Sequence, residues 1–158
     1  MKRIFRLLLV ASCATSAISQ SVSLPFTLTI SAEEAVVKAG SDLFIKVQMA
    51  TSSKHDIDCT VADNGMLGMD VKYHYDVRDS SGNPVAENKM NHPELAPGHF
   101  RLCTLKPGEN ATSGGNLITK LYNLSRPGKY LIQVSRAVSR NPKDGLVKSN
   151  TITVTVTQ

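Results

Sequence analysis

The 158-residue chain contains no tryptophan, and aromatic side chains make up only 5% of it. Its core must therefore be assembled mainly from Val, Ile and Leu. Helical spacing of apolar residues is hard to find. No Gly-x-Ser-x-Gly elbow and no glycine-rich phosphate loop occurs, which removes the commonest nucleophile and nucleotide frameworks. No basic stripe interleaved with aromatic residues runs through the chain, so nucleic acid is not an expected partner. No apolar run approaches the roughly 20 residues that a membrane-spanning helix needs.

The longest apolar run lies at the start. Lys2, Arg3 and Arg6 precede Leu7-Leu8-Leu9-Val10-Ala11, and small residues follow up to Ala17-Ile18-Ser19. A basic head, an apolar stretch and a small-x-small site form a secretory signal peptide, with cleavage expected after Ser19. Residues 20–158 then form a single domain, large enough for its own core. Val10-Ala11-Ser12-Cys13 also resembles a lipobox, which offers a lipid anchor at Cys13 as a lesser alternative; Arg6 shortens the apolar region that such a signal needs. Residues 1–19 carry three basic residues and no acid, so their removal lowers the formal charge from +5 to +2. The basic character belongs largely to the targeting segment, and a secreted or periplasmic location is expected.

Beyond the signal the chain keeps two cysteines, Cys59 and Cys103. An even pair in an exported protein is expected to form a disulfide. Two buried free thiols are the alternative.

Apolar residues recur with period two in segment after segment, the pattern of strands with one buried face. Phe26, Leu28 and Ile30 alternate with threonines, and Leu43, Ile45, Val47 and Met49 follow the same rule after an edge strand or bend over residues 33–41. Val71, Tyr73, Tyr75 and Val77 mark a strand that ends at the turn formers Asp79-Ser80-Ser81-Gly82-Asn83-Pro84. Further strands are expected over 99–105, near Leu117–Tyr122, through Tyr130, Ile132 and Val134, and through Ile152, Val154 and Val156. About seven short antiparallel strands fit an all-β sandwich; an eight-stranded barrel is the alternative. The choice falls on Leu124-Ser125-Arg126-Pro127-Gly128-Lys129-Tyr130, where a Pro-Gly turn leads into a tyrosine opening a penultimate strand. That resembles the tyrosine corner of immunoglobulin-like sandwiches.

On these features the chain resembles the immunoglobulin-like domains of exported bacterial proteins. Its last two-thirds are also similar to the bacterial intracellular proteinase inhibitor domain, through Asp79-Ser80-Ser81-Gly82-Asn83-Pro84-Val85, Leu105-Lys106-Pro107-Gly108-Glu109 and Pro127-Gly128-Lys129-Tyr130. All three are turn and strand-entry signals, so the resemblance implies fold rather than activity. No inhibitory residue aligns, and the export signal departs from an intracellular inhibitor. The buried tryptophan and intersheet cysteine pair of antibody domains are missing, with isoleucine at position 132.

Candidate chemistry is sparse. His92, Glu94 and His99 form the closest histidine cluster, in a stretch whose two prolines and lack of period give no frame for metal ligands. Asp56, Asp58, Asp63 and Asn64 supply oxygen atoms near His55, but Thr60, Val61 and Leu67 occupy positions an EF-hand reserves for a ligand, a glycine and a glutamate. Neither cluster is assigned a metal, and no cofactor is expected. Asn110 and Asn123 open glycosylation sequons. The expectation is a non-catalytic binding module for a protein partner, acting through loops: Met66, Leu67 and Met69 in one connection, where the apolar side chains either tuck under the end of the sandwich as core or present a soft patch to a partner, and Arg140, Lys143 and Asp144 in another. A protease inhibitor is a specific form of that reading. A metal-dependent hydrolase built on the histidine or aspartate cluster is the competing one.

Overall fold

A computed structural model describes residues 24–62, 73–88, 100–112, 115–139 and 142–158. Among them the period-two alternation becomes strands whose apolar side chains turn inward. β1 (Phe26–Ala32) buries Phe26, Leu28 and Ile30 while Thr27 and Thr29 stay exposed. β3 (Phe44–Thr51) does the same with Ile45, Val47 and Met49. Between them lies β2 (Val36–Lys38). Then follow β4 (Ile57–Ala62), β5 (Tyr73–Asp79), β6 (Phe100–Leu105), β7 (Asn110–Thr112), β8 (Asn116–Leu117), helix α1 (Ile118–Leu121), β9 (Gly128–Ala137) and β10 (Leu146–Thr157). The protein is all-β.

The strands form two four-stranded sheets and a separate ribbon. Sheet A runs β1-β3-β7, with β8 also pairing β3; sheet B runs β2-β10-β9-β5; β4 and β6 pair only with each other among the described residues. Neighbours are antiparallel except β2, which lies parallel to β10. Inward residues of both sheets belong to one core cluster, which contains Ile45 and Val47 from sheet A and Ile132, Val134 and Val154 from sheet B.

The two sheets are also stitched along one edge. β10 carries one extra residue opposite β9 between Lys148 and Thr151, a bulge that reverses the inward phase from Val147 and Ser149 to Val154 and Val156. The interrupted ladder is repaired by side chains: the Val134 amide donates to Ser149 Oγ at 2.9 Å. Asn150 then reaches across to sheet A, accepting from the Ile30 amide at 2.8 Å and donating to the Ile30 carbonyl at 3.1 Å. One amide side chain thus pairs with the free edge of β1 as another strand would.

Ten strands are described, more than the expected seven, because the short β2, β7 and β8 and the β4–β6 ribbon join the long ones. One expectation is corrected. Residues 117–122 do not continue as a strand: after the two-residue β8 the chain turns through α1, with the Tyr122 amide donating to the Ile118 carbonyl at 2.9 Å. The reason is visible in the spacing, since Leu117, Ile118, Leu121 and Tyr122 recur at i, i+1, i+4 and i+5, which is a helical face. No helix among the described residues is long and apolar enough to cross a membrane.

Candidate functional site

The inward column of β9 runs Tyr130, Ile132, Val134 and then Arg136, so strand geometry drives a guanidinium into the end of the core. Arg136 is only 7% exposed. Its planar group lies 5.2 Å from the centre of the Phe26 ring and 6.0 Å from that of Tyr73, within the range in which a cation is attracted to an aromatic face. Nη1 donates to the Met49 sulfur and Nη2 to the Asp58 carbonyl at 2.8 Å. One side chain thereby ties together β1, β3, β5, β9 and the β4–β6 ribbon.

The two strands of the ribbon are also cross-linked to each other. Cys59 and Cys103 sit directly opposite each other, with Cα atoms 4.8 Å apart, and are joined as a disulfide. Ala62 pairs with Phe100 at the far end of the ribbon. The chain therefore leaves the ribbon for residues 63–72 and returns from residues 89–99 at the same place.

This end of the molecule is also where the two candidate loops attach. Tyr73, Arg136 and Val147 form one row across β5, β9 and β10. The connection 63–72 enters sheet B at Tyr73, and the connection 138–145 leaves it just past Arg136. Within the latter, the Val138 amide donates to the Gly145 carbonyl at 3.1 Å, and Gly145 takes φ +88°, a conformation that a residue with Cβ adopts only under strain. The Ser139 hydroxyl donates to Asp144 Oδ2, and Pro142–Asp144 form a single 3-10 turn that leaves Lys143 and Asp144 exposed. Met66, Leu67, Met69 and Arg140 lie outside the described residues, as do Cys13, Asp63, Asn64, His92, Glu94 and His99. Of the aspartate cluster, Asp56 precedes β4 and Asp58 lies within it, both exposed, while His55 precedes them in the connecting turn. Among the described residues no three His, Cys, Asp or Glu side chains gather as metal ligands would.

Further along sheet B lie two tyrosine hydroxyl bonds and a tight hairpin. The Tyr130 hydroxyl donates to the Arg126 carbonyl at 2.7 Å, four residues upstream across the Pro-Gly turn. Tyr122 donates to the Tyr75 carbonyl at 2.6 Å. Burial first, and then the negative charges of Glu87 and Asp76, push its phenol up to about 12. In the hairpin, Asp79 accepts from the amides of Ser81 and Asn83 and from the Asn83 side chain, and these bonds, the Asn83 side chain foremost, hold its carboxyl below the usual range. An open hollow of about 210 Å³ lies beside Tyr122 and Leu124 and is lined also by Asp42, Asn88, Thr119, Lys120 and Asn123. Asn88 already donates to the Thr119 and Lys120 carbonyls, and Asn123 accepts from the Ser125 amide. Asn110, in β7, and Asn123 are both exposed.

Sequence reasoning missed Arg136. The signal was present in the alternation of Tyr130, Ile132 and Val134, which, carried two residues further, points the arginine inward.

No family model matches the chain, and no curated protein matches it. Among solved structures it is similar to a β-glucosidase from Listeria innocua in complex with glucose, with 16% identity and a TM-score of 0.47. That likeness covers 84% of this chain but only 16% of the β-glucosidase. It carries no argument about activity.

Proposed function

We propose that the chain is a secreted or periplasmic, non-catalytic binding module with an immunoglobulin-like sandwich fold, whose partner is a protein. The fold reading is supported by the arrangement of the first strands: β1 pairs antiparallel with β3 in one sheet, and β2 then crosses to pair in parallel with the last strand of the other. The hydroxyl bond from Tyr130 to Arg126, at the entry to the penultimate strand, has the form of a tyrosine corner. The disulfide suits an oxidising compartment.

The observation that carries the binding reading is the single row Tyr73–Arg136–Val147, on which both candidate connections converge. Arg136 and the Asn150 bridge brace the framework behind them, and the disulfide closes the ribbon that Arg136 holds against it. Loops set on a braced framework are the usual seat of recognition in such folds. A protease inhibitor would be one form of this module.

The test is to purify the exported protein without chelator, measure its metal content, and assay it against hydrolase substrates and, in excess, against a panel of proteases. The expected result is no turnover. Inhibition of one protease would narrow the module to an inhibitor. Turnover that disappears when His92, Glu94 or His99 is replaced, in protein that stays folded, would overturn the reading in favour of a metal-dependent hydrolase.

A further inference from the structure

Sheet B turns one face to the core and the other to solvent, and the outer face is not uniformly polar. Among the described residues the exposed large hydrophobic side chains are Leu24, Val36, Leu131 and Leu146, and three of the four stand on this face. Leu131 is 36% exposed near its middle, flanked in register by Arg78 on β5 and Thr153 on β10. Val36 and Leu146, each 58% exposed, lie towards opposite ends, opposite Thr155 and Ala137 respectively.

The charges that the strands themselves place on this face are mostly of one sign. The acid that the strands place on this face, Asp76, is held by Arg78 Nε at 3.0 and 3.1 Å and so is neutralised locally. Lys38, Lys129 and Lys148 are exposed and make no ion pair among the described residues. The face therefore carries three uncompensated positive charges, Lys38 and Lys129 towards one end and Lys148 towards the other, with the apolar side chain of Leu131 between them.

We infer that the outer face of sheet B is a docking surface for a protein whose own contact surface sets carboxylates around an apolar centre. The inference rests on the reading of the chain as a binding module and adds to it a second surface and the chemistry of the partner. Charge complementarity selects that occupant. A second copy of the chain stacked face to face would oppose lysine to lysine, and single-stranded nucleic acid would lack the aromatic platforms on which bases stack. Four strands about 4.8 Å apart and roughly 25 Å long give a face on the order of 400 Å². A standard interface takes about 800 Å² per partner, so docking here is weak, reversible and sensitive to salt.

The experiment is an NMR titration of the exported chain, labelled with ¹⁵N, with a glutamate–leucine copolymer, with heparin and with phosphatidylglycerol vesicles as separate probes. The copolymer is expected to shift amides around Lys129, Leu131 and Thr153 and to lose about tenfold in affinity on moving from low to physiological salt. Lys129→Glu with Lys148→Glu should abolish the shifts, and Leu131→Ser should weaken them, while both proteins keep dispersed spectra. Copolymer shifts confined to residues 138–145 and unaffected by the lysine changes would sink the face and leave the loop-based module standing. Binding of heparin or vesicles without binding of the copolymer would overturn the assignment of a protein partner.

Discussion

Two tyrosine hydroxyls, eight residues apart in the chain, do different work. Tyr130 closes a local turn by donating to Arg126. Tyr130→Phe removes that part-buried bond without altering the ring, so the variant should lose about 1 kcal/mol, the usual net value of an intramolecular hydrogen bond. Urea melts of the two proteins measure it, and an unchanged midpoint would mean that the bond contributes nothing. Tyr122 makes a long-range bond, to Tyr75, and its neutral form is the one that burial and nearby carboxylates favour. Because its folded pKa of about 12 lies above the ordinary 10.0, the unfolded chain gives up that proton first as pH rises. The stability it contributes is complete below pH 10 and declines between about pH 10 and 12. Thermal melts at pH 9 and pH 11 should show a smaller alkaline loss in Tyr122→Phe than in the parent; equal losses would contradict the assignment. Tyr130 was legible because its turn is local and its residue types are distinctive. Tyr122 was not, because its partner lies 47 residues away and period-two reading put it in a strand.

At the scale of elements, strands that bury one full face were the easiest to read. β1, β3, β5, β9 and β10 follow from alternation alone, since every second side chain has to leave water. Elements defined by what they pair with were harder. β2, β7 and β8 are two or three residues long and depend on the strand beside them, and the bulge in β10 is fixed by Ser149 and Asn150 rather than by an apolar pattern. The β4–β6 ribbon is the least self-sufficient element, for two strands alone are marginal in water. It holds through the Cys59–Cys103 disulfide between its own strands, the bond from Arg136 to Asp58 and the packing of Cys59 and Leu105 into the core. Removing the cross-link frees a loop of 44 residues in the unfolded chain, worth about 4 kcal/mol in the chain-entropy account. Cys59→Ala with Cys103→Ala should therefore lower the urea midpoint, and amide protection should fall in 57–62 and 100–105 before it falls in β9 and β10. Protection lost uniformly across both sheets would show that the ribbon is not a separate unit.

On the scale of the whole molecule, the division of labour follows the chain's own economy of aromatic residues. Val, Ile and Leu fill the centre of the core, while Phe26 and Tyr73 are placed at one end around Arg136, which closes that end with a charge instead of a ring. The brace carries the row of β5, β9 and β10 from which the two candidate connections depart. Period and turn chemistry made the all-β architecture legible; they gave no access to the brace, whose members come from five elements and are adjacent only in the folded chain. The central claim is that this end of the molecule binds a protein. The most direct measurement is quantitative capture of partner protein from the native exported fraction by the parent chain and by Arg140→Ala with Lys143→Ala, compared at equal thermal stability. The account predicts that the double variant retains at least about tenfold less of the partner, as expected when the charges that anchor a contact are removed. Equal retention by the two proteins would contradict it.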